Sequence, residues 1–234
     1  MNKYSKDDLT SYSLGMSLTI EALKHQPKSV KEVILSEKAI RNEQLSYLLS
    51  LCKENDIKIV YDDKTIDKLS LKENCYCIGV FNKFYSELKS NRHIVLYGFN
   101  DFGDLGTVLR SAVSFDFKDI VLINSDIDYF DPRCIRASMG SIFHCNIVTY
   151  SDLNEYLSKY RKYNIYPFVS QSEKNLSDVS FKDPYAIIIS QDYHGLDGLF
   201  TEAYMIEHSA LEEISLSLRS SIILAEAFAQ KRSL

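Results

Sequence analysis

Short apolar runs alternate with helical patterns along almost the whole chain, and this alternation restricts the possible folds more than any other feature. In the second half, the apolar runs are residues 94–97, 120–123, 147–150, 165–169 and 186–189. Strands that alternate with helices form a mostly parallel sheet with helices on both faces. The sequence therefore predicts an α/β fold, which ends in a long amphipathic helix over residues 212–230.

The first part of the chain repeats the alternation on a smaller scale. The predicted strands are residues 30–35, 57–61 and 75–81, and the predicted helices are residues 18–23, 43–54 and 67–70. The polar stretch 85–92 is the best candidate for a linker. We therefore predict a small α/β domain over residues 1–88 and a larger α/β domain over residues 92–234.

The charge of the chain is uneven. Of 234 residues, 45% are hydrophobic and 25% are charged, and the net charge is −5. Residues 1–90 carry 14 Lys and Arg against 13 Asp and Glu, whereas residues 91–234 carry 13 against 19. An acidic chain does not bind nucleic acid through bulk charge, so any RNA contact would rest on local basic groups and more on the N-terminal part.

The sequence also argues against a membrane or secreted protein, a disulfide-linked protein and a metalloprotein. The sequence has no apolar run of membrane-spanning length and its first residues lack the apolar core of a signal peptide, so we predict a cytoplasmic protein. The five cysteines are irregularly spaced, which indicates reduced, buried thiols. The five histidines show no metal-ligand spacing, and we predict no metal.

One strand runs into a glycine-containing turn and a helix. The segment reads Asn100-Asp-Phe-Gly-Asp-Leu-Gly-Thr-Val-Leu-Arg-Ser-Ala112. Ligands of open α/β sheets bind at the carboxyl ends of strands, and an Arg there is costly to bury without an anion. From this segment alone, Arg110 is either an anion-binding residue or an ordinary surface side chain. The segment lacks G-x-G-x-x-G, and the chain has no P-loop.

Two later segments add polar groups. In Asp131-Pro-Arg-Cys-Ile-Arg-Ala-Ser-Met-Gly-Ser-Ile-Phe143, small residues follow two arginines, which suits a phosphate but also a helix end with a glycine cap. In the third region, a strand ends in a polar turn at residues 190–196, and residues 205–208 and 213–216 return to the same sheet edge. Loops that converge in this way form a pocket suited to an adenosine moiety.

The first two segments, taken in order, resemble motifs of the SpoU/TrmH-like branch of the SPOUT RNA methyltransferases. Residues 104–112 follow the pattern N-x-G-x-x-x-R-(S/T)-A, with Asp104 in place of the Asn. Residues 136–143 match R-A-S-x-G-(S/A)-x-F throughout.

The third region resembles the remaining motifs of that family. Residues 190–196 stand where the family has G-N-E-x-x-G-L. Asp192 keeps the acid and residues 195–196 keep the Gly-Leu pair, whereas Ser190 and Gln191 replace the Gly and the Asn. Residues 213–216 stand where the family has S-L-N-(V/L), so that Ser215 replaces the Asn. Residues 14–81 resemble the small ribosomal-protein-like RNA-binding domain that often precedes the catalytic domain. The resemblance thus extends over nearly the whole chain.

The resemblance implies a fold and a reaction. The C-terminal domain would be a SPOUT-type α/β sheet with a trefoil knot, a rare exception to the rule against knots. The cofactor would be S-adenosylmethionine, and the protein would act as a homodimer. The reaction would be methyl transfer to a ribose 2′-hydroxyl of ribosomal or transfer RNA.

The resemblance also implies residue roles. Arg110 corresponds to the family's catalytic Arg; because a guanidinium stays protonated, it would hold a phosphate or polarise the hydroxyl rather than act as a base. The residues implied in RNA binding are Asp104, Arg136, Ser138 and Gly140. Those implied in cofactor binding are Ile189, Ser190, Gln191, Asp192, Gly195, Leu196, Ile206, Ser215 and Leu216.

The departures from the motifs keep a second hypothesis open. Asp104 adds a negative charge beside Arg110, Ser215 is shorter than Asn, and Arg219 replaces a small residue in the last helix. An RNA-binding protein of the same fold without methyl transfer, acting in ribosome assembly or beside an active partner, is therefore the alternative to the enzyme. An unrelated α/β nucleotide-binding protein is a third hypothesis, against which the missing phosphate loop counts.

Overall fold

The structure is a computed structural model that describes residues 3–70, 74–169, 171–190, 196, 198–207 and 214–232. In chain order, the elements are β1 (Thr10–Leu14), α1 (Met16–His25), β2 (Val30–Leu35), α2 (Leu45–Glu54), β3 (Lys58–Tyr61), α3 (Asp63–Leu69), β4 (Cys77–Asn82), β5 (Arg92–Tyr97), α4 (Phe102–Ser114), β6 (Asp119–Ile123), α5 (Pro132–Ala137), β7 (Asn146–Tyr150), α6 (Leu153–Lys159), β8 (Asn164–Phe168), β9 (Tyr185–Ser190) and α7 (Leu216–Arg232). The chain forms two compact units.

The first unit comprises Met1–Phe84 together with Asp128–His144. Its four-stranded sheet has the order β1-β4-β2-β3, in which β2 and β3 are parallel and β4 is antiparallel to both β1 and β2. Strand β2 coincides with the prediction at 30–35, and α3 begins four residues before the predicted helix at 67.

Strand β1 is an element that the sequence did not predict. Its Ser11 and Ser13 are both buried. The Ser11 hydroxyl donates to the carbonyl oxygen of Phe130, and the Ser13 and Thr19 hydroxyl oxygens lie 3.0 Å apart. Buried polar residues are stable only when they are hydrogen-bonded, and these partners are distant in the chain or in the next helix. The strand therefore has no apolar alternation by which to recognise it.

The segment 128–144 is part of the core of the first unit. The rings of Phe81 and Phe143 meet edge to face at 5.2 Å, and those of Phe84 and Phe130 meet in the same way at 5.1 Å. Lys83 pairs with Asp128 at 3.3 Å. By its contacts this segment belongs with the N-terminal residues, although it follows β6 in the sequence. The predicted domain limits at residues 88 and 92 stay a prediction.

The second unit comprises Tyr85–Ile127 and Cys145–Leu234, and it contains a five-stranded sheet of order β7-β6-β5-β9-β8. All four strand pairs are parallel, which confirms the predicted sheet. The core includes Val95, Val121, Ile188 and Leu196, which pack with Tyr156 of α6. Strand β8 begins one residue before the predicted 165, and α7 begins at Leu216. The knot stays a prediction.

Helices α4 and α7 pack against each other in the second unit. The hydroxyl oxygens of Ser111 and Ser221 lie 2.7 Å apart, and the rings of Phe115 and Phe228 are 5.9 Å apart. Small polar and aromatic residues thus join the helix that carries Arg110 to the last helix of the chain.

Buried polar groups anchor the amino ends of β5 and β6. The Asp119 carboxylate accepts hydrogen bonds from the backbone N–H groups of Lys89 and Ser90 and from the Asn146 side chain. Burial alone would raise the pKa of Asp119, but these hydrogen bonds outweigh it and hold the pKa below its usual value. The buried His93 Nδ1 lies 2.9 Å from the Tyr156 hydroxyl. Both groups lie at the edge of the sheet opposite to the carboxyl ends of its strands.

Candidate active site

A cavity lies at the carboxyl ends of the parallel strands in the second unit. The chain runs from β5 outward to β6 and β7 on one side of the sheet and returns through β8 and β9 on the other, so the strand order reverses between β5 and β9. Ligands of open α/β sheets bind at such a reversal. The cavity measures about 480 Å³, and the last paired residues of β5 and β9, Tyr97 and Ser190, both line it.

The lining of this cavity is mostly polar. Asn100 comes from the turn after β5, Asn124 and Asp126 follow β6, and Tyr150 ends β7. Ser190 is buried, and its hydroxyl oxygen has no hydrogen-bond partner among the described residues. A buried hydroxyl without a partner is costly unless a ligand or water supplies the hydrogen bond. The cavity therefore suits a polar ligand with hydrogen-bonding edges, such as a nucleoside.

The start of α7 adjoins the end of β9. The Arg219 side chain is only 5% exposed, and its Nη2 donates to the backbone oxygen of Ser190 at 3.3 Å. The exposed Ser215 accepts a hydrogen bond from the backbone N–H of Leu218, as an N-cap residue does. The first turn of α7 is thereby held at the carboxyl edge of the sheet.

The positive charge beside Asp104 comes from α7. Burial and the neighbouring carboxylate of Asp101 raise the pKa of Asp104, against a hydrogen bond from Ser217 and the charge of Arg219. Arg110 lies six residues further along α4, about 9 Å along the helix axis and on another face. The expectation that Asp104 would chiefly oppose the charge of Arg110 is therefore corrected: its described cationic neighbour is Arg219.

Arg110 itself is exposed on the last half of α4. The helix is fixed at its start, because Asp101 caps it by accepting from the backbone N–H of Asp104 at 2.8 Å. The buried side of α4 includes Leu105, Val108 and Leu109, which leaves the guanidinium of Arg110 accessible to an anionic ligand.

The remaining predicted cofactor residues divide into two groups. Ile189, Leu196, Ile206 and Leu216 are all buried, so their side chains serve the core and only their backbone could contact a cofactor. Near Ile206, the backbone N–H of Val169 donates to the oxygen of Tyr204, which places residues 204–206 beside the end of β8. Gln191, Asp192 and Gly195 lie outside the described residues.

The second motif lies in the first unit. Ser138 and Gly140 are buried, and the Ser138 hydroxyl donates to the oxygen of Ile135. The backbone N–H groups of residues 138–141 all donate to carbonyl oxygens within the same turn. Ser138 and Gly140, which the resemblance implies in RNA binding, therefore offer no free backbone N–H group to a phosphate. Arg136 is half-buried at the end of α5 and keeps its guanidinium as the candidate group.

The state of the cysteines follows from their burial. All five cysteines are free thiols, four of them buried, as predicted. Burial raises the pKa of the Cys52 thiol to about 11, which keeps it protonated and unreactive.

Within the described residues, no helix has both the length and the apolar character needed to cross a bilayer.

Sequence reasoning missed Asn124, Asp126 and Tyr150 as site residues. Each of them stands at or just after the end of a strand of the parallel sheet. The rule that ligands bind at carboxyl ends of strands, applied to β6 and β7 as well as to β5, would have found them.

The comparisons with known proteins agree with this arrangement. A family model of the SpoU rRNA Methylase family matches residues 91–207, which is half of the chain. The chain belongs to this family. A second model, described as RNA 2′-O ribose methyltransferase substrate binding, matches residues 14–74. The predicted class of the SpoU protein, an RNA 2′-O-methyltransferase preceded by a small RNA-binding domain, is confirmed.

Individual relatives of this SpoU protein are distant but cover most of its length. The 23S rRNA (guanosine(2553)-2′-O)-methyltransferase RlmP of Bacillus subtilis is 22% identical over 223 residues, 90% of this chain and 85% of the relative. The AdoMet-bound rRNA methyltransferase of Sinorhizobium meliloti has a TM-score of 0.76 at 18% identity and covers 97% of this chain and 88% of its own. AviRb of Streptomyces viridochromogenes, in complex with AdoMet, has a TM-score of 0.79 at 15% identity and covers 97% and 92%. These likenesses confirm the α/β fold.

Proposed function

We propose that this SpoU protein transfers the methyl group of S-adenosylmethionine to a ribose 2′-hydroxyl of ribosomal RNA. The observation that carries the proposal is the polar cavity at the carboxyl ends of β5 and β9, in the unit whose helix α4 bears Arg110. S-adenosylmethionine is the ligand bound in two of the similar structures, and RlmP acts on 23S rRNA. Transfer RNA is the second substrate class to test.

The proposed cofactor would lie at the ends of β9 and α7. When bound, it supplies an activated methyl group, so the chain's own residues mainly align the acceptor hydroxyl and help to remove its proton. The backbone of residues 189–190, 196, 206 and 215–216 borders this edge of the sheet. Gln191, Asp192 and Gly195 complete the proposed set.

Arg110 would bind the RNA beside the acceptor ribose. Its guanidinium remains protonated at neutral pH and therefore binds a phosphate or polarises the 2′-hydroxyl. Arg136 would bind the RNA backbone from the first unit, with the segment of Ser138 and Gly140 holding it in place. Asp104 would act through Arg219 and Ser217, its described neighbours, rather than by direct contact with RNA.

Three further properties of the family are part of the proposal. The protein would be a homodimer, the C-terminal domain would contain a trefoil knot, and the protein would work in the cytoplasm. Light scattering after gel filtration measures the oligomeric state. Deleting the chain from residue 212 onward should unfold a knotted domain, as circular dichroism would report.

One observation favours the alternative, an RNA-binding protein without methyl transfer. The buried guanidinium of Arg219 contacts the oxygen of Ser190, at the edge where the cationic sulfonium would bind. Like charges in a partly buried site repel each other.

Binding and methyl-transfer assays separate the two functions. S-adenosylmethionine and its demethylated product are titrated calorimetrically into the full chain, with and without bulk ribosomal RNA, and tritiated methyl transfer to undermodified ribosomal and transfer RNA is then measured. We expect binding of both ligands and methylation of ribosomal RNA. Binding of neither ligand to the folded protein, even with RNA present, would refute the enzyme and favour the alternative.

Arg110→Ala tests the proposed role of the guanidinium. Loss of a group that acts on the acceptor should lower kcat about 100-fold or more while cofactor affinity is unchanged. The matched control is Arg161→Ala, because Arg161 is also exposed but lies before β8, at the opposite edge of the sheet. An equal kcat for the two variants would show that Arg110 has no role in methyl transfer.

A further inference from the structure

Three potential metal ligands meet in the first unit. Glu21 and His25 are four residues apart on α1 and therefore share one face of the helix. His144 ends the 3₁₀ helix Ser141–His144. The Glu21 Oε2 lies 2.6 Å from the His144 Nε2 and 3.6 Å from the His25 Nε2, and all three ligand atoms are within 4.8 Å of one another.

We propose that Glu21, His25 and His144 bind a divalent transition-metal ion, for which Zn²⁺ is the best fit. Two imidazole nitrogens and one carboxylate oxygen form a donor set typical of zinc, whereas Mg²⁺ and Ca²⁺ prefer oxygen atoms alone. Metal–ligand bonds of about 2.1 Å at tetrahedral angles place donor atoms about 3.4 Å apart. The distance of 3.6 Å between the Glu21 Oε2 and the His25 Nε2 is close to that value. The distance of 2.6 Å between the Glu21 Oε2 and the His144 Nε2 would have to increase by about 0.8 Å on ion binding.

One carboxylate oxygen of Glu21, Oε2, faces both imidazoles, whereas the other is near Lys24. Lys24 lies 3.4 Å from Oε1, the other oxygen, so monodentate binding through Oε2 is compatible with this contact. The three side chains are 22–34% exposed. An ion can therefore enter from solvent, and the fourth coordination position would be taken by water or by an anionic oxygen.

The segments that carry the ligands are already held close to each other. The Gln26 side chain donates to the oxygen of Phe143 at 3.1 Å. Gly140 has a φ of +82°, and a Cβ built there would lie 3.0 Å from the Glu21 Cβ, so only glycine permits this approach. Such preorganisation reduces the entropy that ion binding must overcome. A bound ion would fasten α1 to the segment that bears Arg136, whether or not the protein transfers methyl groups.

The predicted absence of a metal rested on the spacing of cysteines and histidines along the sequence. His25 and His144 are 119 residues apart, and a Glu–His pair four residues apart is common on helices without any ion. Only the packing of α1 against Ser141–His144 brings the three side chains together.

Metal titrations of the full chain test the site. The protein is treated with EDTA, kept reduced, and titrated with Zn²⁺ by calorimetry and with Co²⁺ by absorption spectroscopy. We expect one ion per chain, a raised Tm, and visible bands of a tetrahedral cobalt site without the ultraviolet band of thiolate ligands. Loss of a residue that is hydrogen-bonded to a metal ligand lowers metal affinity about 10–100-fold. Loss of a ligand itself should cost at least as much, so we expect His25→Gln and His144→Gln each to weaken Zn²⁺ binding at least about 10-fold.

The control is Lys24→Gln, which leaves the three ligands intact and should bind Zn²⁺ as the wild type does. Circular dichroism establishes that each variant is folded, and His25→Gln decides the question if His144→Gln does not fold. Failure of the folded wild type to bind Zn²⁺, a thiolate–cobalt band, or equal affinity in a folded histidine variant would each overturn the proposal.

Discussion

The Asp119 carboxylate offers a quantitative test of how the second unit is held together. Asp119→Ala removes the acceptor of hydrogen bonds from Lys89, Ser90 and Asn146. A hydrogen bond to a charged group contributes about 1.5–3 kcal/mol, and we take the lower end or less because solvent reaches the segment of Lys89 and Ser90. The expected loss in the free energy of unfolding is about 3 kcal/mol, equivalent to a fall in Tm of about 6–12 °C.

Urea denaturation followed by circular dichroism measures this loss at neutral pH. Asp119→Asn keeps one acceptor oxygen but no charge, so its free energy of unfolding should fall by about half as much as that of Asp119→Ala. Glu87→Ala, which removes an exposed carboxylate from the same segment, should change the stability by less than about 0.5 kcal/mol. If Asp119→Ala were as stable as Glu87→Ala, the reasoning from these hydrogen bonds would be refuted.

The same carboxylate predicts a pH dependence. Its pKa in the folded protein is lowered from the ordinary value of 3.8, so its contribution is fully present above that pH and is lost as the pH falls through the folded-state pKa. The stability difference between wild type and Asp119→Ala should therefore be constant near neutrality and narrow only below pH 3.8. A difference that narrowed around pH 6 would point to another group.

Two further substitutions test the packing of each unit. Gly79→Ala would place a Cβ 2.4 Å from the Ser13 Oγ and 2.9 Å from a methyl group of Thr19, so we expect a loss of about 2–3 kcal/mol in urea denaturation; an unchanged midpoint would mean that β4 adjusts freely. Tyr156→Phe removes the buried hydrogen bond to His93 and should lower the free energy of unfolding by about 1–2 kcal/mol, which thermal unfolding measures; an equally stable variant would show that the hydroxyl contributes nothing.

The parts of the fold that could be predicted are those in which apolar periodicity is strong. Strands β5, β6 and β9 are buried on both faces and appear in the sequence as continuous apolar runs, and helix α4 follows a glycine-containing turn. Strand β1 could not be predicted, because its buried serines depend on partners that only the tertiary structure supplies.

The candidate site was predictable to a similar degree. Arg110 and Ser190 could be named because local motifs carry them, whereas Asn124 becomes a site residue only when β6 is known to lie beside β5. The cation that acts on Asp104 is Arg219, 115 residues later in the chain, and no local pattern predicts which of several cations approaches a given carboxylate.

The discontinuous first unit has a consequence for the order of events during translation. Its core needs Phe130 and Phe143, which a ribosome adds after β5, α4 and β6. About 60 residues separate Phe84 from His144, which at about 5–20 residues per second is a delay of about 3–12 s. During that interval the rings of Phe81 and Phe84 lack part of their native cover. A fragment that ends at Phe84 would keep this apolar surface permanently and should associate or bind chaperones.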